Sequence, residues 1–261
     1  LSNNHTYDKG TKGIAATLRF WDEMPEDVVT TGLWYGESDY GTIPLQTVNG
    51  VTIAYLSYTD HTNGIPQSNA MTANVIYTGQ RDVMEQQVRR ARELADFVVV
   101  GVHWGVEDSH KITQTQRDLA QQLSDWGADV ILGTHPHVVQ DAEWKTSVDD
   151  GRQTFVAYSL GNFLSTQSKP DQLIGAILTL ELNKTTDPDG SVHCAVASPQ
   201  LHPTVTHYDA GKSNVRTYLF QDYTSELAQA HGVRAAYPSF GIEYIQNVLQ
   251  ANINSAFLAL A

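Results

Sequence analysis

Apolar positions along the chain change period several times, and each change marks an element. Ile14, Leu18 and Trp21 recur at helical spacing, which predicts a helix over residues 11–23. Val51 to Ser57 reads as a strand, and Asn63-Gly64-Ile65-Pro66 as a turn. Met84, Val88, Ala91 and Ala95 predict a helix over residues 80–95. Phe97 to Val102 is a continuous apolar run rich in β-branched residues, the pattern of a strand covered on both faces in a parallel sheet. Thr113 and Gln116 have the spacing of a capping box, opening a helix with Leu119, Leu123 and Trp126 that stops at Gly127. Asp129 to Gly133 is the next buried strand. Residues 80–133 thus read helix, strand, helix, strand, a crossover of an α/β sheet. Further strands are expected at 153–159, 173–182 and 191–198. Asp187-Pro-Asp-Gly190 turns the last two into an antiparallel hairpin, and helices follow at 223–231 and 239–256.

Composition narrows the class. With 261 residues, 41% of them hydrophobic and 17% charged, the chain has enough apolar material for a buried core and is not of the disordered kind. Its formal net charge of -13 repels phosphate backbones and anionic lipid, so nucleic acid is not an expected partner. The same charge is compatible with divalent cations, although solubility alone accounts for it. The single cysteine, Cys194, rules out an internal disulfide and leaves thiolate metal sites almost no material. It falls in a predicted strand with no activating partner and is expected in the core. No apolar run reaches the roughly 18 residues needed to span a bilayer, and no signal peptide is visible. The first residue is Leu, which reads as a processed product or a fragment.

Candidate chemistry gathers at strand ends. His103 follows the strand ending at Val102, and His135 and His137 follow the strand ending at Gly133. Ligands of open α/β sheets bind beyond the carboxyl ends of the strands, and neutral imidazole is the commonest metal-binding side chain. Pro136 biases His135 to an extended backbone, so the two histidines either face two adjacent cations or straddle one. Read blandly, the same residues are a proline turn with exposed histidines, and His103 is a hydrogen-bonded strand end. Glu107 is expected to support an imidazole or to face solvent. Asn4 and His5 join an amide oxygen to an imidazole in a loop, with Asp8 nearby; Asp8 and Gly10 equally suit the entry of the first helix. There is no nucleophile elbow around Ser159, no GxxxxGK[ST] loop and no GxGxxG after a strand.

Five segments in order carry a family resemblance. They are Asn3-Asn4-His5-Thr-Tyr-Asp8-x-Gly10, Tyr58-x-x-x-Thr62-Asn-Gly64, His103-Trp-Gly-x-Glu107, Gly133-Thr-His-Pro-His-Val138 and Tyr158-Ser-Leu-Gly-Asn-Phe163. Together they resemble the bacterial capsule synthesis CapA family, also called PgsA in poly-γ-glutamate production, which is similar in turn to calcineurin-like metallophosphoesterases. The resemblance implies a four-layer α/β/β/α sandwich, in a chain lacking its first strands. Residues 1–205 would form that domain, and residues 206–261 a C-terminal helical extension packed on it. It implies two divalent metal ions (Mn, Zn or Fe), with Asn4, His103 and His135 on the second metal and His137 on the first. His5 would contact a substrate phosphate and assist the leaving group. The relatives' first-strand Asp-x-His and bridging Asp have no counterpart before Asn4, so an N-terminal segment is an expected partner.

The function implied is a binuclear, metal-dependent hydrolase of phosphoester type in capsule or poly-γ-glutamate production. The alternatives are a non-enzymatic surface assembly or export component, cleavage of an amide in the polymer, and a degenerate fold with no metal. Expected partners are an anionic polymer or phosphoester and other capsule synthesis membrane proteins. The expected location is the extracellular cell surface, anchored through an N-terminal segment outside this chain.

Overall fold

The protein is described here by a computed structural model covering residues 1–65 and 73–260. Five helices and nine strands account for most of them. The helices are α1 (Gly10–Asp22), α2 (Arg81–Leu94), α3 (Gln114–Trp126), α4 (Ser225–Ala230) and α5 (Ile242–Asn252). The strands are β1 (Leu45–Val48), β2 (Val51–Thr59), β3 (Phe97–His103), β4 (Val130–Thr134), β5 (Val139–Thr146), β6 (Gln153–Leu160), β7 (Ile174–Thr186), β8 (Val192–Asp209) and β9 (Ser213–Leu219).

The larger sheet has the order β1-β2-β3-β4-β6-β5. Its central strands run parallel, and β1 and β5 close the two edges antiparallel. Helices α2 and α3 cover one face, where Met84, Val88, Leu119 and Leu123 pack with Leu56, Val100, Ile131 and Val156. The crossover predicted over residues 80–133 is therefore present. Helix α3 starts at the expected capping box, with Thr113 Oγ1 accepting from the Gln116 backbone N–H and the Gln116 side chain accepting from the Thr113 N–H.

A smaller antiparallel sheet, β7-β8-β9, faces the other side of the larger one. Its Ala176, Leu201 and Val205 share a core with Val139, Phe155 and Ala157. Phe240, Ile245 and Leu249 of the C-terminal segment join the same core. The mixed α/β class of the resemblance is therefore present, with α5 packed against β5 beside the core that the two sheets share. Helix α1 lies apart, with Ile14 and Leu18 in a satellite cluster with Tyr7, Leu33 and Val75.

Several expectations change. Strands β1, β5 and β9 were not predicted, because their apolar residues neither alternate cleanly nor run together. The division expected at residue 205 falls inside β8, and the residues after it contribute a strand, β9, as well as helices. Cys194 is exposed, not core. It pairs with Lys184 and lines a surface cavity with Asp129, Trp144 and Arg152. The turn at Asn63–Ile65 forms, with Ile65 N–H donating to Thr62 O at 2.9 Å; Pro66 lies outside the described residues.

Candidate functional site

Three neighbouring parallel strands end at one level. Thr59 of β2 stands beside His103 of β3, and His103 beside Thr134 of β4. The loops that follow bring His61, Trp104 and His135 to the same end of the sheet. Trp104 is buried, donates its indole N–H to Tyr158 O at 2.9 Å and stacks on the Tyr158 ring, pinning the chain just beyond His103.

His103 is the centre of the arrangement. Its Nε2 lies 3.0 Å from Asn4 Oδ1, and its Nδ1 lies 2.9 Å from Thr134 Oγ1. A hydroxyl both donates and accepts, so Thr134 serves either imidazole tautomer. The Asn4 amide is oriented in turn by donating to Asn63 Oδ1 at 3.2 Å. The His135 ring stands 4.8 Å from the His103 ring and 5.1 Å from the His61 ring. His135 is buried, and its Nδ1 has no hydrogen-bond partner among the described residues. Burial, reinforced by His135, His137, His61 and His5, pushes His103 down to about 3. Burial and His61 likewise lower His135, against the opposing pull of Glu107. Both rings are neutral at pH 7, the state that keeps a nitrogen lone pair for a cation.

The other predicted residues sit around this centre. His137 is further out, its ring 6.2 Å from that of His135 and its Nδ1 2.9 Å from Asn162 Oδ1. His5 is exposed at the rim, its Nδ1 2.8 Å from Asp8 Oδ2. Glu107 is exposed in the loop after β3 and reaches His135 through its charge. The backbone at His135 is not the extended one expected from the following proline. Its φ is 99°, and that of His137 is 61°. The chain doubles over here, and Pro136 O accepts from Asp108 N–H at 2.9 Å. The turn, stronger than the local bias of the proline, holds two β-carbon-bearing residues in the left-handed region.

Sequence reasoning missed His61, Asp60, Asn63 and Asn162. Asp60 accepts from the Thr78 hydroxyl and from Gly105 N–H, tying the loops after β2 and β3 together. The rule that found His103 and His135, side chains beyond the carboxyl ends of parallel strands, applies equally to β2 and would have found His61.

The donors available to a cation are the Asn4 amide oxygen and the nitrogens of His103 and His135. Their neutral, desolvated state and the unpartnered His135 Nδ1 suit a borderline divalent ion. Among the described residues, no three His, Cys, Asp or Glu side chains lie close enough together to hold an ion. The fit is therefore to one cation held by two imidazoles and an amide, with the further positions open.

Comparison with known proteins gives a consistent direction. The family described as bacterial capsule synthesis protein PGA_cap matches residues 1–167. A capsule biosynthesis protein CapA of Bacillus anthracis is 37% identical over 179 residues, 64% of this chain and 39% of that protein. A PGA biosynthesis protein CapA of Bacillus subtilis (strain 168) is 36% identical over 184 residues, 70% of this chain and 46% of that protein. The chain thus matches less than half the length of either relative. Among solved structures, the NAD nucleotidase of Haemophilus influenzae overlays 98% of this chain and 41% of its own, at 13% identity and a TM-score of 0.42. An overlay that loose speaks to neither chemistry nor substrate.

Proposed function

Since the chain belongs to the bacterial capsule synthesis protein PGA_cap family, we propose that it is a metal-dependent hydrolase of phosphoester type serving capsule or poly-γ-glutamate production at the cell surface. The observation that carries this is the neutral, desolvated His103–His135 pair beside the Asn4 amide oxygen. A bound divalent cation would supply Lewis acidity and a water of lowered pKa. The chain's own residues hold the rest. Thr134 fixes the His103 ring, Asn63 fixes the Asn4 amide, and Asn162 engages His137 Nδ1 and leaves its Nε2 free for a ligand. Asp8 holds His5 Nδ1, which would leave Nε2 to give a proton to a leaving oxygen.

The relatives' names place them in capsule and PGA biosynthesis. By extension the substrate is an anionic polymer or a phosphoester, and the partners are capsule synthesis membrane proteins. The location would be extracellular, with anchoring through sequence outside this chain. No helix among the described residues is long and apolar enough to cross a membrane.

A second reading, a non-enzymatic assembly or export component that binds a cation without turnover, is favoured by the finding that, among the described residues, no three His, Cys, Asp or Glu side chains stand close enough together to hold an ion. One experiment separates the two. Metal content is measured on the purified protein after incubation with Mn or Zn, followed by hydrolysis of an activated phosphodiester. The hydrolase reading expects bound metal, turnover abolished in His103→Ala, and turnover about 10²–10⁴-fold lower in His5→Ala with metal retained. Metal without turnover supports the binding role, and no metal uptake sinks the hydrolase.

A further inference from the structure

The left-handed turn that carries His135 and His137 is held from outside by one short stretch of chain. Pro170–Leu173 form a single 3-10 turn just before β7, with Pro170, Gln172 and Leu173 buried. Three of its groups reach the loops around His137. The Gln172 side chain donates to Asp108, whose own N–H donates to Pro136 O, between the two histidines, at 2.9 Å. The Asp171 carboxylate meets His110 Nε2 at 3.3 Å, and His110 Nδ1 donates at 2.7 Å to Val139 O, just beyond His137. The Gln172 carbonyl accepts from Asn162 Nδ2 at 2.9 Å. Lys169, at the head of the turn, also pairs with Asp108, and the Tyr244 hydroxyl of α5 donates to Asp171.

The contact with Asn162 fixes a proton. A backbone carbonyl only accepts, so the Asn162 amide must turn its NH2 group toward Gln172. Its other N–H goes to Gln167 Oε1 at 2.9 Å. Oδ1 therefore faces His137 Nδ1, 2.9 Å away, and can only accept from it. A neutral imidazole carries one N–H, so Nε2 keeps its lone pair. A free histidine side chain in water favours the opposite form, with the proton on Nε2, and the turn overrides that preference.

We propose that the Pro170–Leu173 turn is the positioning element of His137, holding its ring in the Nδ1–H form through the Gln172 carbonyl and Asn162. The side chains of Gln172 and Asp171 fix the backbone on both sides of His137, by way of Pro136 O and Val139 O. Both are positioning residues, acting through Asp108 and His110. The Gln172 side chain also closes the turn on itself, accepting from Lys169 N–H at 3.2 Å, so its loss opens the turn. That Nε2 is held open for a cation rests on the metal-dependent reading. The tautomer does not rest on it and is read without metal.

Long-range proton–nitrogen correlation spectra of the histidine rings, recorded on the metal-free 261-residue chain at a pH where the rings are neutral, show each tautomer directly. His137, assigned by the signal that His137→Gln removes, should be wholly Nδ1–H. His231, whose Nε2 donates to Thr206 O, should show the opposite form and serves as the marker of an intact fold. In Gln172→Ala and Asn162→Ala the Nδ1–H signature of His137 should give way to Nε2–H, with His231 unchanged. Gln172→Glu, of the same shape, sets a second carboxylate against Asp108 and should do the same. Zinc binding, followed by titration calorimetry, should weaken about 10–100-fold in Gln172→Ala. An Nε2–H ring at His137 in the parent overturns the proposal. So does an unaltered Nδ1–H signature in Gln172→Ala and Gln172→Glu, or a zinc affinity that stays the same when the signature is lost. The expected tautomer changes in a parent that takes up no zinc uphold the positioning role and count against the hydrolase.

Discussion

Gly133 sits where a side chain has no room: a β-carbon there would lie 1.9 Å from Tyr158 O and 2.5 Å from the Trp104 indole nitrogen. Both neighbours are fixed, one as backbone and one by its hydrogen bond to that same carbonyl. Gly133→Ala should destabilise the protein by roughly 3 kcal/mol or more, since neither neighbour can move aside; a urea midpoint within experimental error of the parent would show that this crossing is softer than described. The placement of His103 and His135 together beyond neighbouring strand ends was legible in the sequence. Such placement was not legible where it depended on neighbours distant in sequence. Asn162 lies in one of the segments that carry the resemblance, but its contact with His137, 25 residues away, is not readable from its local sequence.

At the scale of elements, α2, β3, α3 and β4 could be read directly because each has one period, a start signal and a stop. The cap of α3 gives a direct check. Thr113→Ala removes the side-chain acceptor of the Gln116 N–H and should cost about 1 kcal/mol, seen as a lower melting temperature with unchanged metal uptake. Strand β5 shows why other elements stayed hidden. Its sequence, Val-Gln-Asp-Ala-Glu-Trp-Lys-Thr, is polar at most positions, yet Gln140 is buried. That amide is satisfied by Gln116 and by the carbonyls of Ser109 and Lys111, all brought in by the α3 side of the sheet. Tertiary hydrogen bonding overrode the local pattern.

The whole molecule joins its second sheet to the C-terminal segment through two buried histidines. His231 donates from Nε2 to Thr206 O at 2.9 Å and accepts at Nδ1 from Val233 N–H. The His207 ring packs 4.7 Å from it, with Nδ1 on the Tyr223 hydroxyl and Nε2 near Asp209. Burial pushes His231 from 6.5 down to about 4, and burial lowers His207 as well. A lowered histidine favours the folded state while it stays neutral. Stability from this pair is thus fully present above the unfolded value near 6.5 and is lost as pH falls toward 4. The melting temperature should drop over that window, and His231→Gln should flatten the drop while lowering the plateau. An unchanged slope in His231→Gln would place the acid sensitivity elsewhere. The mixed α/β class followed from the resemblance, whereas this histidine pair was invisible to it, since neither residue lies in a quoted motif.

The left-handed backbone at His135 and His137 has a consequence for how such a protein changes under pressure. Glycine occupies that conformation without strain, so His135→Gly is expected to hold or raise thermal tolerance while removing a cation donor. A breeder selecting only for survival at high temperature would be rewarded for erasing the site at its two least comfortable positions. The histidines can persist there only while something other than durability is being chosen.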